Sequence, residues 1–177
     1  MNILVVDDDP LIVDLLNSSL VAMGFNAPVS AGSAEEAMQI IESAETPFST
    51  FLLDIFLPET DGVELCTRIR QLPQHSATPI IMITASRRTD LMERAFRAGA
   101  TDYVTKPLDG LELGTRVKVA GMLNESLERE KRYRHTLEDL TELTRVKYDE
   151  IISLRNVPGI VDHVTMQNSL LRAERGC

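Results

Sequence analysis

No stretch of this chain stays apolar for the roughly 18 residues that a membrane span requires, which excludes a simple membrane anchor within it. Nor does a basic segment precede the first apolar run. Met1 to Asp9 pass from Ile3-Leu4-Val5-Val6 directly into Asp7-Asp8-Asp9, which argues against a secretory signal. Cysteine is scarce: Cys66 and Cys177 do not make a disulfide framework, and a reducing cytoplasm is the expected compartment. Cys66 shares an apolar helix face with Val63 and Ile69 and reads as a small core residue. A basic stripe of the kind DNA demands is missing as well, so no direct nucleic-acid binding is expected. The nearest candidate, Arg129 to His135, contains Glu130, lies beside Glu125 and Glu128, and reads as a solvated helix face. No internal repeat and no low-complexity segment stands out.

What the chain does have is size enough for one ordinary domain and an appendage: 177 residues, 44% of them hydrophobic. Its net charge of −9 is unevenly placed. Residues 1–110 carry 16 acidic against 7 basic residues, whereas residues 111–177 carry 11 of each. The acid excess therefore belongs to the first part.

That part alternates short apolar runs with helical patterns. Ile3 to Val6 reads as a buried strand, and Asp9-Pro10 as a helix start with aspartate at the N-cap. Leu11, Leu15, Leu16 and Leu20 are the expected apolar stripe of that helix, and Gly24 its end. Asn26 to Ala31 is a weaker strand, placed near a sheet edge by Pro28. Ser33 with Glu36 makes a capping box for the next helix, which turns Ala37, Ile40 and Ile41 inward. Thr50 to Ile55 is a third strand, followed by a helix from about Gly62 to Leu72. Pro79 to Thr84, Arg88 to Ala98 and Asp102 to Thr105 read as strand, helix and strand, and a fifth helix starts near Asp109 or Gly110. Such alternation predicts an α/β fold: a doubly wound, five-stranded parallel sheet.

Between Gly121 and Pro158 there is neither glycine nor proline. The fifth helix is expected to run on to about Val157, and forty helical residues reach roughly 60 Å, too long to bury on this domain. Leu137, Leu140, Thr144, Lys147, Ile151 and Leu154 alternate three- and four-residue steps, a short heptad seam made impure by Thr144 and Lys147. The expected organisation is thus a domain over 1–121, a helical extension over 122–157 that pairs as a coiled coil in a homodimer, and a segment 158–177 that begins an output domain or forms a terminal arm.

The strand ends carry the chemistry. Asp7, Asp8 and Asp9 follow the first strand, Asp54 ends the third, Thr84 ends the fourth, and Lys106 follows the fifth. In a parallel sheet these ends converge, and ligands bind beyond them. Carboxylates gathered there repel unless a cation neutralises them, and hard oxygen ligands in incomplete number suit Mg²⁺. A lysine and a hydroxyl opposite would hold phosphoryl oxygens, with Asp54 as nucleophile. Singly each residue has a plainer reading: Asp9 as a helix cap, Thr84 as a strand residue, Lys106 as a surface charge, Tyr103 as core. Only their joint spacing is specific.

The set Val5-Val6-Asp7-Asp8, Leu53-Asp54-Ile55, Leu57-Pro58, Asp61-Gly62, Ile83-Thr84-Ala85 and Thr105-Lys106-Pro107 resembles the response-regulator receiver domain of two-component signalling, over roughly residues 1–120. The resemblance implies a flavodoxin-like receiver fold in which Asp54 is phosphorylated by a sensor histidine kinase or phosphotransfer protein. It implies that Asp7, Asp8, Asp54 and the backbone carbonyl of Phe56 hold Mg²⁺, that Lys106 pairs with the phosphate, and that Thr84 and Tyr103 switch. It also implies a cis Lys106-Pro107 bond. Phe56 departs from the smaller residues usual in the family at that position. The implied function is a phosphorylation switch that assists its own phosphorylation and dephosphorylation rather than an enzyme, read out through the surface of helix four, strand five and helix five. A haloacid-dehalogenase-like phosphatase is the alternative; Asp7-Asp8-Asp9 supplies its Asp-x-Asp, but Pro10-Leu11 follows where that class has Gly-Thr. A receiver acting as a constitutive dimerisation or scaffold module is the other.

Overall fold

A computed structural model describes residues 1–86 and 88–155. The expected arm or output-domain start at 158–177 lies outside the described residues. Along the chain run β1 (Ile3–Val6), α1 (Pro10–Ala22), β2 (Val29–Ala31), α2 (Ala34–Ser43), β3 (Thr50–Asp54), α3 (Gly62–Gln71), β4 (Ile80–Thr84), α4 (Thr89–Arg97), β5 (Asp102–Thr105) and α5 (Gly110–Arg155). The chain divides into two compact units, Met1–Glu128 and Arg129 onward.

In the first unit all five strands lie parallel in one sheet, ordered β2-β1-β3-β4-β5. β1, β3 and β4 are buried along their whole length, which is why their sequences are continuous apolar runs rather than alternating ones. Alternate residues of each strand feed two cores. Leu4, Val6, Phe51, Leu53 and Met82 pack with Ala37 and Ile41 of α2, Leu65 and Ile69 of α3, and Ala95 of α4. Val5, Leu52, Ile81 and Ile83 pack with Leu16 and Leu20 of α1 and with Leu113 and Val117 of α5. Cys66 is fully buried in the first of these cores, as its position on the apolar face of α3 predicts.

Local signals place most helix starts. The Asp9 carboxylate accepts from the Leu11 N–H, with Pro10 in the first turn. Ser33 accepts from the Glu36 N–H, while the Glu36 carboxylate reaches back to the Gly32 N–H rather than to that of Ser33. Two expectations need correcting. Leu11 and Leu15 are exposed, and α1 buries Leu16 and Leu20 with Ile12 packed beside them. β2 is confined to Val29–Ala31, because Pro28 has no N–H to give a ladder; it does form a sheet edge.

α5 is a single helix as far as Arg155. In the second unit its apolar residues Leu137, Leu140, Tyr148 and Ile151 are all exposed. The hydroxyl of Thr144 donates to the Leu140 carbonyl one turn back. Among the described residues no helix is long and apolar enough to cross a membrane.

Candidate acidic site at the strand ends

Register brings the strand ends level. Val6 pairs with Leu53, Asp54 with Ile83, and Thr84 with Thr105. The residues after these pairs, Asp7 and Lys106, therefore emerge beside Asp54 although 99 and 52 positions separate Lys106 from the two aspartates. The Lys106 ammonium donates to Asp7 Oδ2 at 2.8 Å and to Asp54 Oδ2 at 2.9 Å. The other oxygen of each carboxylate accepts a backbone N–H: Asp7 Oδ1 from Asp9 at 3.0 Å, and Asp54 Oδ1 from Phe56 at 3.3 Å.

Asp7 and Asp54 are buried, while Asp8 is exposed. One carboxylate oxygen from each of the three lies within 4.8 Å of the others. That is a set of hard oxygen donors spaced for one divalent cation, and three protein oxygens leave room for water and substrate oxygens around it. Burial pushes the Asp54 carboxyl above the usual carboxylate range, against the hydrogen bond and charge of Lys106 that pull it down. Burial also disfavours the Lys106 ammonium, but its bonds to Asp7 and Asp54 outweigh that and raise it above an ordinary lysine. The corner thus holds its lysine charged and the Asp54 carboxylate against the cost of desolvation.

Thr84 is buried, and its hydroxyl oxygen accepts from the Ser86 N–H at 3.0 Å. Tyr103 stands one same-face step back on β5, opposite Met82, and packs edge-on against Phe96 of α4 with ring centroids 6.0 Å apart. It is not among the groups gathered at the acids. Phe56, 53% exposed, follows two residues after Asp54. The Lys106-Pro107 peptide is cis, as the resemblance implies. Leu137, Leu140, Thr144 and Ile151 share a helix remote in sequence from the acids, and the side chain of Leu154 lies outside the described set.

Two supporting residues carry more than their motif indicated. A Cβ on Gly62 would overlap the Asp54 carbonyl oxygen, so only glycine lets α3 start this close to β3. Its neighbour Asp61 caps α3 through the Glu64 N–H and pairs with Arg94 of α4 at 2.9 Å. Asp61-Gly62 following the turn marked both in sequence; the Asp61–Arg94 pair has no local signal, since 33 positions separate the two.

Residues 3–118 match the response regulator receiver domain family. Over 113 residues the chain is 44% identical to a 14.6 kDa protein of the sodA1 3′ region in Leptolyngbya boryana, covering 64% of this chain and 84% of that one. It is 40% identical over 116 residues to the alkaline phosphatase synthesis transcriptional regulatory protein PhoP of Bacillus subtilis, covering 66% of this chain and 46% of PhoP. The match thus spans less than half the length of that regulator, and likewise 47% of the B. subtilis transcriptional regulatory protein YvrH. A CheY-like response regulator receiver domain protein from Methanospirillum hungatei superposes with a TM-score of 0.64 at 30% identity, covering 71% of this chain and 96% of that one. With its parallel five-stranded sheet and acidic corner, the chain belongs to the response regulator receiver domain family of two-component signalling.

Proposed function

We propose that Asp54 receives a phosphoryl group from the phosphohistidine of a sensor histidine kinase or phosphotransfer protein. The observation that carries this reading is the placing of the Asp54 carboxylate at a strand end, against the Lys106 ammonium and within one cation's reach of Asp7 and Asp8. An Asp54 oxygen forms the new O–P bond, the P–N bond of the donor breaks, and the imidazole nitrogen keeps the electron pair. Asp7, Asp8, Asp54 and the Phe56 carbonyl would hold Mg²⁺, which when bound neutralises the gathered negative charge. Lys106 moves from sharing two carboxylates to holding a phosphoryl oxygen. The Thr84 hydroxyl, whose own proton is free to donate, turns toward another.

Withdrawal of Thr84 leaves room on that face of the sheet, and Tyr103 repacks against α4. The surface of α4, β5 and the first turns of α5 then differs between the two states, and phosphate biases their populations. The Leu137, Leu140, Thr144, Ile151 and Leu154 face of α5 pairs two copies into a homodimer. The protein works in the cytoplasm as a signalling receiver; its only chemistry is on its own aspartate.

Beryllofluoride with Mg²⁺ mimics the phosphorylated aspartate and tests this. Amide resonances of Thr84 and Tyr103 should shift with it in the parent and stay fixed in Asp54→Asn. Sedimentation of the full chain with and without the mimic separates a phosphorylation-dependent dimer from a constitutive scaffold.

A further inference from the structure

In the second unit, α5 contains a short echo at a step of eleven residues. Residues 133–143, Tyr-Arg-His-Thr-Leu-Glu-Asp-Leu-Thr-Glu-Leu, are followed by 144–154, Thr-Arg-Val-Lys-Tyr-Asp-Glu-Ile-Ile-Ser-Leu. At a step of eleven, arginine meets arginine, the Glu-Asp pair meets Asp-Glu, and leucine ends both units. Leu137 falls on Tyr148, Leu140 on Ile151, and Thr141 on Ile152. We propose that the second unit pairs with a second copy of this chain along this eleven-residue stripe, with Tyr148 rather than Lys147 in the seam; this rests on the dimer reading above and fixes which face makes the dimer.

Eleven residues overshoot three turns of an α-helix by about 20°, where seven fall short of two by about 20°, so the longer step drifts less per residue and asks only for a slight right-handed winding of the pair. A seven-residue seam would instead bury Lys147, where two copies would set ammonium beside ammonium. The eleven-residue step moves Lys147 to the border. Leu137, Leu140, Tyr148 and Ile151 each stand more than half exposed, and the two threonines between them need no outside partner. Thr141 donates to the Leu137 carbonyl at 2.8 Å and Thr144 to that of Leu140 at 2.7 Å, which leaves their methyl groups to make contact. The two threonines can therefore enter a dry seam without stranding a hydroxyl.

Charge complementarity names the occupant. Along one border of the stripe lie Arg134, Glu138, Arg145 and Asp149, alternating in sign. A reversed copy sets Arg134 against Asp149 and Glu138 against Arg145; a copy aligned the same way sets Lys147 level with Asp149. Either direction gives the border opposite charges from the same sequence.

The test is sedimentation equilibrium of the full chain, with helicity and receiver unfolding as controls for folding. Tyr148→Lys should weaken dimerisation by about tenfold or more, as a charge placed in a seam does. Lys147→Leu should leave the dissociation constant within about twofold, as expected of a border residue. A dimer that tightens about tenfold or more in Lys147→Leu, or that ignores Tyr148→Lys, overturns the stripe while leaving the dimer standing. A parent chain that stays monomeric at every concentration overturns both.

Discussion

The Lys106 ammonium lies 2.9 Å from Oδ2 of Asp54, and the same ammonium bonds Asp7 at 2.8 Å. One cation thus holds two buried carboxylates together at the end of the sheet.

Replacing it with an apolar residue of similar length should expose that dependence. Lys106→Met, unfolded in urea at pH 7 without divalent ions, is expected to lose about 3 kcal/mol, the scale on which a buried pair fails when one partner goes. Because the folded ammonium is raised above an ordinary lysine, its contribution is present at all pH below about 10 and is lost as pH rises through the folded value. Equal stability of variant and parent at pH 7 would deny the pairing.

Mg²⁺ should stabilise the parent, because the folded corner gathers oxygens that the unfolded chain disperses. At tenfold excess over its dissociation constant the gain is about 1.4 kcal/mol. Asp8→Asn should abolish that rise in melting temperature. Asp8 is exposed and outside the Lys106 pairing, so the variant should fold as the parent does without metal.

Gly62→Ala tests the close approach of α3 to β3. The added Cβ meets the Asp54 carbonyl oxygen, which is backbone and cannot swing aside. A loss of about 3 kcal/mol is expected from the forced shift. A fully stable variant would show that the two segments separate easily.

Phe56→Asn tests what the exposed ring beside the acceptor does. The smaller polar side chain should admit water to the aspartyl phosphate, so hydrolysis measured after removal of the donor should be faster. Equal rates would leave the ring no part in phosphoryl lifetime.

Cys66 gives a prediction in the alkaline range. Burial pushes its thiol up to about 11. Between the unfolded thiol's ordinary value of about 8.5 and that higher one, the native state keeps a proton that the unfolded state has released. Stability should therefore fall with rising pH across that window, and Cys66→Ala should flatten the fall. In a Cys177→Ser background a thiol reagent at neutral pH should label the native protein only after unfolding.

Much of this was legible in the residues. Continuous apolar runs gave the buried strands, Asp9-Pro10 and Ser33 gave helix starts, and parallel pairing then had to bring Asp7, Asp54, Thr84 and Lys106 to one edge. Where reading from residues failed, the cause was tertiary. Leu11 and Leu15 lie on α1 in a row as regular as the buried one, and only the neighbouring sheet decides which row is covered. Nothing local predicts that Arg70 donates both to the Gly99 carbonyl, at 3.0 and 2.8 Å, and to that of His75 at 2.8 Å. The eleven-residue echo was hidden because Leu137, Leu140 and Thr144 fit a seven-residue step equally well; Lys147 against Tyr148 is where the two periods disagree in charge.

The most direct test is to locate the phosphoryl group. After incubation of the full chain with a labelled, phosphorylated histidine kinase and Mg²⁺, the acyl phosphate is trapped by reduction and mapped by peptide. The expected result is label on the Asp54 peptide alone and none in Asp54→Asn. Label on the Asp7 peptide, or undiminished uptake by Asp54→Asn, would contradict the account.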